Sequence, residues 1–296
     1  MKYRVTHRTM YTYSQTVARC HNEAHLQPRE TSRQASLDSA VAIEPAPAQR
    51  AERHDFFGNR VLYFALQEPH DGLTVTATSH VEVTPAATVD LTDSPAWDAL
   101  RDGLADDRNP DSRAARQFTL DSPYAASASE AAAYAAPSFP SRRPILAAVH
   151  DLSQRIHHDF RFDPDSTTVT TAVAEVLAQR YGVCQDFAHL AIACLHSLGL
   201  PARYVSGYLE TTAPLGQPRL QGADSSHAWF AVYVPRLGWI DFDPTNDCLP
   251  GERHVTTAWG RDYADVTPIK GVIFGGGAHT LEVSVDMQRI GEPVSR

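Results

Sequence analysis

The 296-residue chain has no run of 18 apolar residues, so no segment reads as a membrane-crossing helix. Its start, MKYRVTHRTMYTYSQ, lacks the apolar stretch of a signal peptide, and a cytoplasmic protein without membrane contact is the expectation. Cysteines number only four, with neither CxxC nor Cys/His zinc spacing, which excludes a disulfide framework or a zinc ribbon. The fourteen histidines include no HEXXH, so a metallohydrolase is disfavoured and neither metal nor cofactor is expected. Lys and Arg total 26 against 35 Asp and Glu, a net charge of -9 with no basic patch, so nucleic acid is not an expected partner. What remains is a globular composition, 43% hydrophobic and 21% charged, long enough for two modest domains. Oligomeric state is not legible.

The first part reads as strands. Tyr3, Val5, His7, Thr9, Tyr11 and Tyr13 alternate at period two, and β-rich runs over 61–66 and 73–83 flank an Asp71-Gly72 turn signal. With a further strand near 40–44, residues 1–88 are expected to form a small antiparallel β-sandwich. Its histidines are scattered and read as structural. From Asp93 the texture turns helical. Short helices are expected through Leu104, over 112–118 and over 126–135, and a clearer one follows Pro144, with Ile145, Val149, Leu152 and Ile156 on one face. The acidic DFRFDPDS lacks the glycine and final glutamate of an EF-hand and reads as a turn. Residues 170–181 read as helix, 202–209 as strand and 210–225 as a polar loop. HAWFAVYV and GWIDFDP form a hairpin, and HTLEVSVDMQ is a last strand. Residues 89–296 thus read as a helical linker followed by helices on an antiparallel sheet, and the whole chain as α+β.

The informative helix begins at Cys184. Phe187, Leu190, Ala191, Cys194, Leu195 and Leu198 recur at helical spacing, and Gly199 with Pro201 stops it. A thiol in the first turn of a helix meets free N–H groups and the positive end of the dipole, which favour an anion. Two readings stay open on this stretch alone, a thiolate nucleophile or a packed thiol. Cys194, on the apolar face, reads as core. Forty-three positions on, His227 opens a strand, as a candidate base or a structural imidazole. Strand parity then tests Asp241 and Asp243. Pairing Tyr233 with Trp239 puts His227 opposite Thr245 and makes Asp243 its diagonal neighbour, with Asp241 opposite Ala231. Asp243 is therefore the expected orienter of His227.

GVCQDFAHLAIACLHSLGLPARYVSGYL followed by SHAWFAVYVPRLGWIDFDPTN resembles the core of the transglutaminase-like superfamily, over roughly residues 145–250. YRVTHRTMYTYSQ and FFGNRVLYFALQEPH resemble the N-terminal module of its bacterial members, and GRDYADVTPIKGVIFGG resembles their C-terminal end. The resemblance implies a papain-like core with Cys184, His227 and Asp243 as catalytic residues. It also implies a thioester intermediate and a peptide or protein substrate, with a protease or amidase expected. The alternatives are a protein-glutamine transglutaminase, in which an amine replaces water, and a non-catalytic binding protein on the same fold. Asp186 and His189 read as supports of the Cys184 helix, and residues 259–276 as a structural return to the last strand.

Overall fold

The computed structural model describes residues 1–211 and 225–291; most of the polar loop expected over 210–225 lies outside them. The architecture is α+β. One antiparallel sheet carries β1 (Lys2–Ala24), β2 (Gln34–Glu44), β3 (Gln49–His54), β4 (Arg60–Leu66) and β5 (His70–Val83) in the order β2-β5-β1-β4-β3. Helices follow: α1 (Trp97–Leu104), α2 (Pro110–Arg116), α3 (Ser129–Ala135) and α4 (Ile145–Asp159). A two-residue strand β6 (Arg161–Phe162) pairs in parallel with β7 (Tyr181–Gly182) across α5 (Val173–Gln179). Next come α6 (Cys184–Ser197), β8 (Ala202–Leu209), β9 (Ser225–Val234), β10 (Gly238–Phe242) and β11 (His254–Gly260). These four strands form an antiparallel sheet in the order β10-β9-β8-β11. The chain ends through α7 (Tyr263–Val266), β12 (Ile269–Gly275) and β13 (His279–Arg289).

The first strand runs well past Tyr13. Its register slips between Thr12 and Val17, which breaks the alternation that marks a strand in sequence. Its first half pairs with β5 and β13, its second with β4 and β12, so one long strand organises a curled sheet. The last strand therefore joins the first module rather than the core sheet, and residues 269–289 of the 89–296 segment pair back onto β1. The cause is apolar. Val285 and Met287 of β13 pack with Tyr3 and Val5 of β1 and with Tyr208 and Val255 of the core sheet. Each fully buried side chain of this size contributes about 1.5–3 kcal/mol, so this cluster fastens the module to the core.

The helix expected over 170–181 is shorter. It stops at Gln179 because Arg180 takes a left-handed conformation (φ 61°), which frees Tyr181 and Gly182 to pair with β6. In α6, burial exceeds the expected single face. Every residue from Asp186 to His196 is buried, since α3 and α5 pack against the helix from one side and β8 and β9 from another. Gly199 (φ 73°) ends it, its N–H donating to the His196 carbonyl at 2.9 Å. Cys194 is fully buried, and burial pushes its thiol up to about 12, as a core position requires.

Candidate active site

Cys184 starts α6, and a single side chain fixes that start. The Asp186 carboxylate accepts the Val183 N–H at 2.8 Å and the Thr167 hydroxyl at 2.7 Å. A Cβ at Gly182 would lie 2.9 Å from that carboxylate, so only glycine lets Asp186 fold back on the loop. His189, one turn on, accepts the Tyr263 N–H at 3.1 Å and stacks with Tyr124. Burial holds it down to about 4, so at neutral pH it is an uncharged packing group. Both residues support the helix.

The hairpin register matches the parity argument: Trp239 pairs with Tyr233 and Asp241 with Ala231. The ladder ends at Phe242, and the chain turns so that His227 Nε2–H donates to Asp243 Oδ2 at 2.8 Å. Burial would lower the His227 pKa, but the hydrogen bond to Asp243 and the contact with the Cys184 sulfur outweigh it and hold it up to about 10. With Nε2 turned to Asp243, Nδ1 is the ring nitrogen left for the thiol. The three residues singled out in the sequence thus meet in space.

Asp243 is fully buried, a position a carboxylate tolerates only when its oxygens are satisfied. They are. Oδ1 accepts the N–H groups of Thr245 (3.0 Å) and Asn246 (3.2 Å). Oδ2 accepts from His227, from Asn246 Nδ2 (2.7 Å) and from His254 Nε2 (3.1 Å). Burial pushes its pKa up, but these donors more than reverse that and keep it well below the usual carboxylate range. His254 Nδ1 accepts the Gly251 N–H at 3.4 Å, which fixes the tautomer that donates to Asp243. Ligand atoms of His227, Asp243 and His254 lie within 4.8 Å of one another, close enough for one cation. The donor set argues otherwise: Asp243 already accepts five N–H groups, and both histidines present a proton to it.

Cys184 and His227 open on a cavity of about 250 Å³. The core sheet supplies Tyr204, Ser206 and Ser226 to its wall, while the curled sheet supplies His7, Thr9 and Tyr11 from β1 and Leu281 and Val283 from β13. Tyr263, Pro268 and Ile269 complete it, so the 259–276 segment lines the cleft as well as returning the chain. The sequence pattern marks His7 as a structural histidine. It does bond to Tyr208 and Thr9 in a buried position, and it also walls this cavity.

Residues 3–82 match the bacterial transglutaminase-like N-terminal region, and residues 133–244 match the transglutaminase-like superfamily. An uncharacterized protein of Mycobacterium tuberculosis is 44% identical over 97% of this chain and 92% of its own length. The chain belongs to the transglutaminase-like superfamily. An uncharacterized protein of Mycobacterium leprae is 36% identical over 97% of this chain and 98% of its own. A crystal structure from Cytophaga hutchinsonii, provisionally named a cysteine protease, aligns over the whole chain and 92% of its own with a TM-score of 0.76 at 22% identity. That likeness speaks to the fold. A protein-glutamine gamma-glutamyltransferase of Pseudomonas aeruginosa is 31% identical over 35% of this chain, but only 16% of its own length. Among the described residues no helix is long and apolar enough to cross a membrane.

Sequence reasoning missed His254, Asn246 and Tyr204. Asn246 lies in the DPTN motif, three residues after Asp243, where a turn residue is ordinary. His254 carries no local signal, because its partner lies eleven residues away on an adjoining turn.

Proposed function

We propose that the protein is a cysteine-dependent acyl-transfer enzyme acting on peptide or carboxamide bonds, with water as the preferred acceptor, that is, a protease or amidase. The observation that carries this reading is the chain of contacts from the half-buried Cys184 through the buried His227 to the buried Asp243. His227 is held up to about 10, and its partner on the Nδ1 side is Cys184, so the ring carries the proton that the leaving amine needs and stands where it can take the proton of the attacking sulfur. Cys184 Sγ attacks the carbonyl carbon. His227 gives its Nδ1 proton to the departing amine as the C–N bond breaks, leaving a thioester and a neutral imidazole. Water then attacks the thioester, passes a proton to His227, and releases the acid and the thiolate. Asp243 stays ionised throughout and keeps Nε2 protonated, which orients the ring.

Free N–H groups at the start of α6 serve the oxyanion. Tyr204 adds a side-chain donor. Its hydroxyl lines the Cys184 cavity with no hydrogen-bond partner among the described residues, and burial together with the nearby thiol raises its pKa well above the usual range. It therefore remains a donor at working pH.

The amine-accepting reading rests on the same intermediate, and the partial likeness to the Pseudomonas aeruginosa transferase favours keeping it. One experiment separates the two. A glutamine-containing peptide is incubated with and without a primary amine, and products are read by mass. Free acid in both samples is expected; amine incorporation without free acid overturns the preference for water. Cys184→Ala is expected to lower either product by at least about 10⁴-fold, while a thiol probe labels Cys184 of the native chain before Cys20 or Cys248. Equal labelling of the three would return the protein to a binding role.

A further inference from the structure

The core sheet has a second face, and it holds a larger cavity of about 510 Å³, away from Cys184. Arg203, Trp239, Asp241, His254 and Trp259 line it from the sheet, Arg33 from the curled sheet's side and Ala114 from α2. Its chemistry is unlike that of the first cavity. Arg203 is 7% exposed, makes no ion pair among the described residues, and has its Nε without a hydrogen-bond partner. Its guanidinium lies over the rings of Trp239 (4.4 Å) and Trp259 (3.7 Å), which fix its plane. Burial lowers its pKa only to about 9, so it is charged at neutral pH. Asp241 Oδ1 is likewise buried and unpartnered. Arg203 and Asp241 sit two strands apart on one face, with Ala231 between them. Their backbones are two strand spacings apart, about 9.6 Å; each charge is felt by the other, but no hydrogen bond or ion pair joins them among the described residues, and the small alanine lies between.

A buried donor and a buried acceptor left without partners are costly, so the pair is suited to completion by a ligand that brings both. We propose that this cavity binds a peptide carboxyl terminus ending in a large apolar residue. The carboxylate takes the guanidinium edge, the last backbone N–H donates to Asp241, and the side chain rests among Trp239, Phe57 and Phe118. Two cations, Arg33 and Arg203, against one carboxylate make the cavity attractive to a single negative charge. Asp241 penalises a doubly charged phosphate. His254 lies in this wall and donates to Asp243 behind it, so an occupied cavity touches the orienting network of the first. The proposal stands independently of the Cys184 reading.

The test is titration of the full-length Cys184→Ala chain, which cannot turn over peptide, with N-acetyl-Ala-Ala-Phe as free acid and as amide. Heat of binding and tryptophan fluorescence are the readouts. Saturable one-to-one binding of the acid is expected, with the amide at least tenfold weaker. Arg203→Lys, which keeps the charge but not the flat fork, should weaken the acid at least tenfold. Ala114→Trp, on an exposed turn of α2, should fill the cavity and abolish binding while leaving thiol labelling of a Cys184-containing chain unchanged; it keeps the test decisive if Arg203→Lys does not fold. Equal binding of acid and amide, no binding of either, or binding undisturbed by Ala114→Trp would each overturn the proposal. N-Acetyl-phenylalanine alone binding as well as the tripeptide would reassign the cavity to small acyl amino acids and overturn the peptide assignment.

Discussion

The two cavities on the core sheet differ in how their polar groups are satisfied. Around Cys184 the buried charge is saturated: Asp243 accepts five N–H groups, and His227 and His254 each have a fixed role toward it. Around Arg203 a cation and a carboxylate face each other across Ala231 without touching. Saturation makes a site rigid before substrate arrives, which suits bond-breaking that depends on fixed geometry. An unsatisfied pair is suited to recognition, because a ligand that supplies the missing partners recovers the cost of leaving them bare. The curled sheet contributes to both cavities, with β1 and β13 walling one and Arg33 the other. The N-terminal module is thus part of each site.

The sharpest way to break the contrast is to unsaturate the first cavity. Asp243→Ala leaves two imidazole N–H groups and the Asn246 amide without their acceptor, and about 3–5 kcal/mol of folding stability should go with it. Asp243→Asn keeps the shape and should fold, yet lose about 10²–10³-fold in kcat/KM as the ring loses its tautomer. The pH dependence follows from the shifts. Asp243 is held below its ordinary value of 3.8, so its contribution is complete above about pH 4 and fades as pH falls further. His227 is held up to about 10, so its contribution is complete below 6.5 and is lost as pH rises toward 10. Denaturant titrations across pH should show native and Asp243→Asn chains converging at both extremes. A stability gap unchanged at pH 3 would show that the carboxylate's charge does not stabilise the fold.

How far the contrast was visible in the sequence depends on the distance over which each contact is encoded. The Cys184 helix start, the His227 strand and the Tyr233–Trp239 register are local, set by period and parity within some sixty residues. Hence the meeting of His227 with Asp243 could be argued beforehand. The return of β13 to β1 spans nearly the whole chain, and nothing in HTLEVSVDMQ says which sheet it joins. Arg203 and Asp241 look like ordinary outward residues of amphipathic strands. Their burial comes from α2 and the curled sheet covering that face, a tertiary event with no period. His254 escaped for the same reason, and the break in alternation after Tyr13 hid the second half of β1.

A smaller effect tests the roof of the first cavity. Tyr204→Phe removes only a hydroxyl from a fully buried ring. If that hydroxyl serves the oxyanion, kcat should fall about 10–100-fold with KM nearly unchanged. A matching rise in KM would make it a ground-state contact. His254 should matter less, since it acts on Asp243 and not on substrate. His254→Ala is expected to lower kcat about tenfold, with partial recovery in His254→Gln, whose amide can still donate. If both variants lose the same activity, ring packing against Trp229 is its role rather than the hydrogen bond.

The smallest expected effect is that of chelation. His227, Asp243 and His254 offer three ligand atoms within 4.8 Å, and a cation there would need the lone pairs that the hydrogen bonds use. Binding one would have to displace the His227 proton, held up to about 10 by the same carboxylate. EDTA should therefore change activity by less than about 1.5-fold. Added zinc should inhibit, because the Cys184 sulfur and the His227 imidazole form a ligand pair for it once the ring proton is driven off. Activity lost to EDTA and restored by a divalent ion would reverse the assignment, making Asp243 a ligand and the saturated cavity the one that awaits a partner.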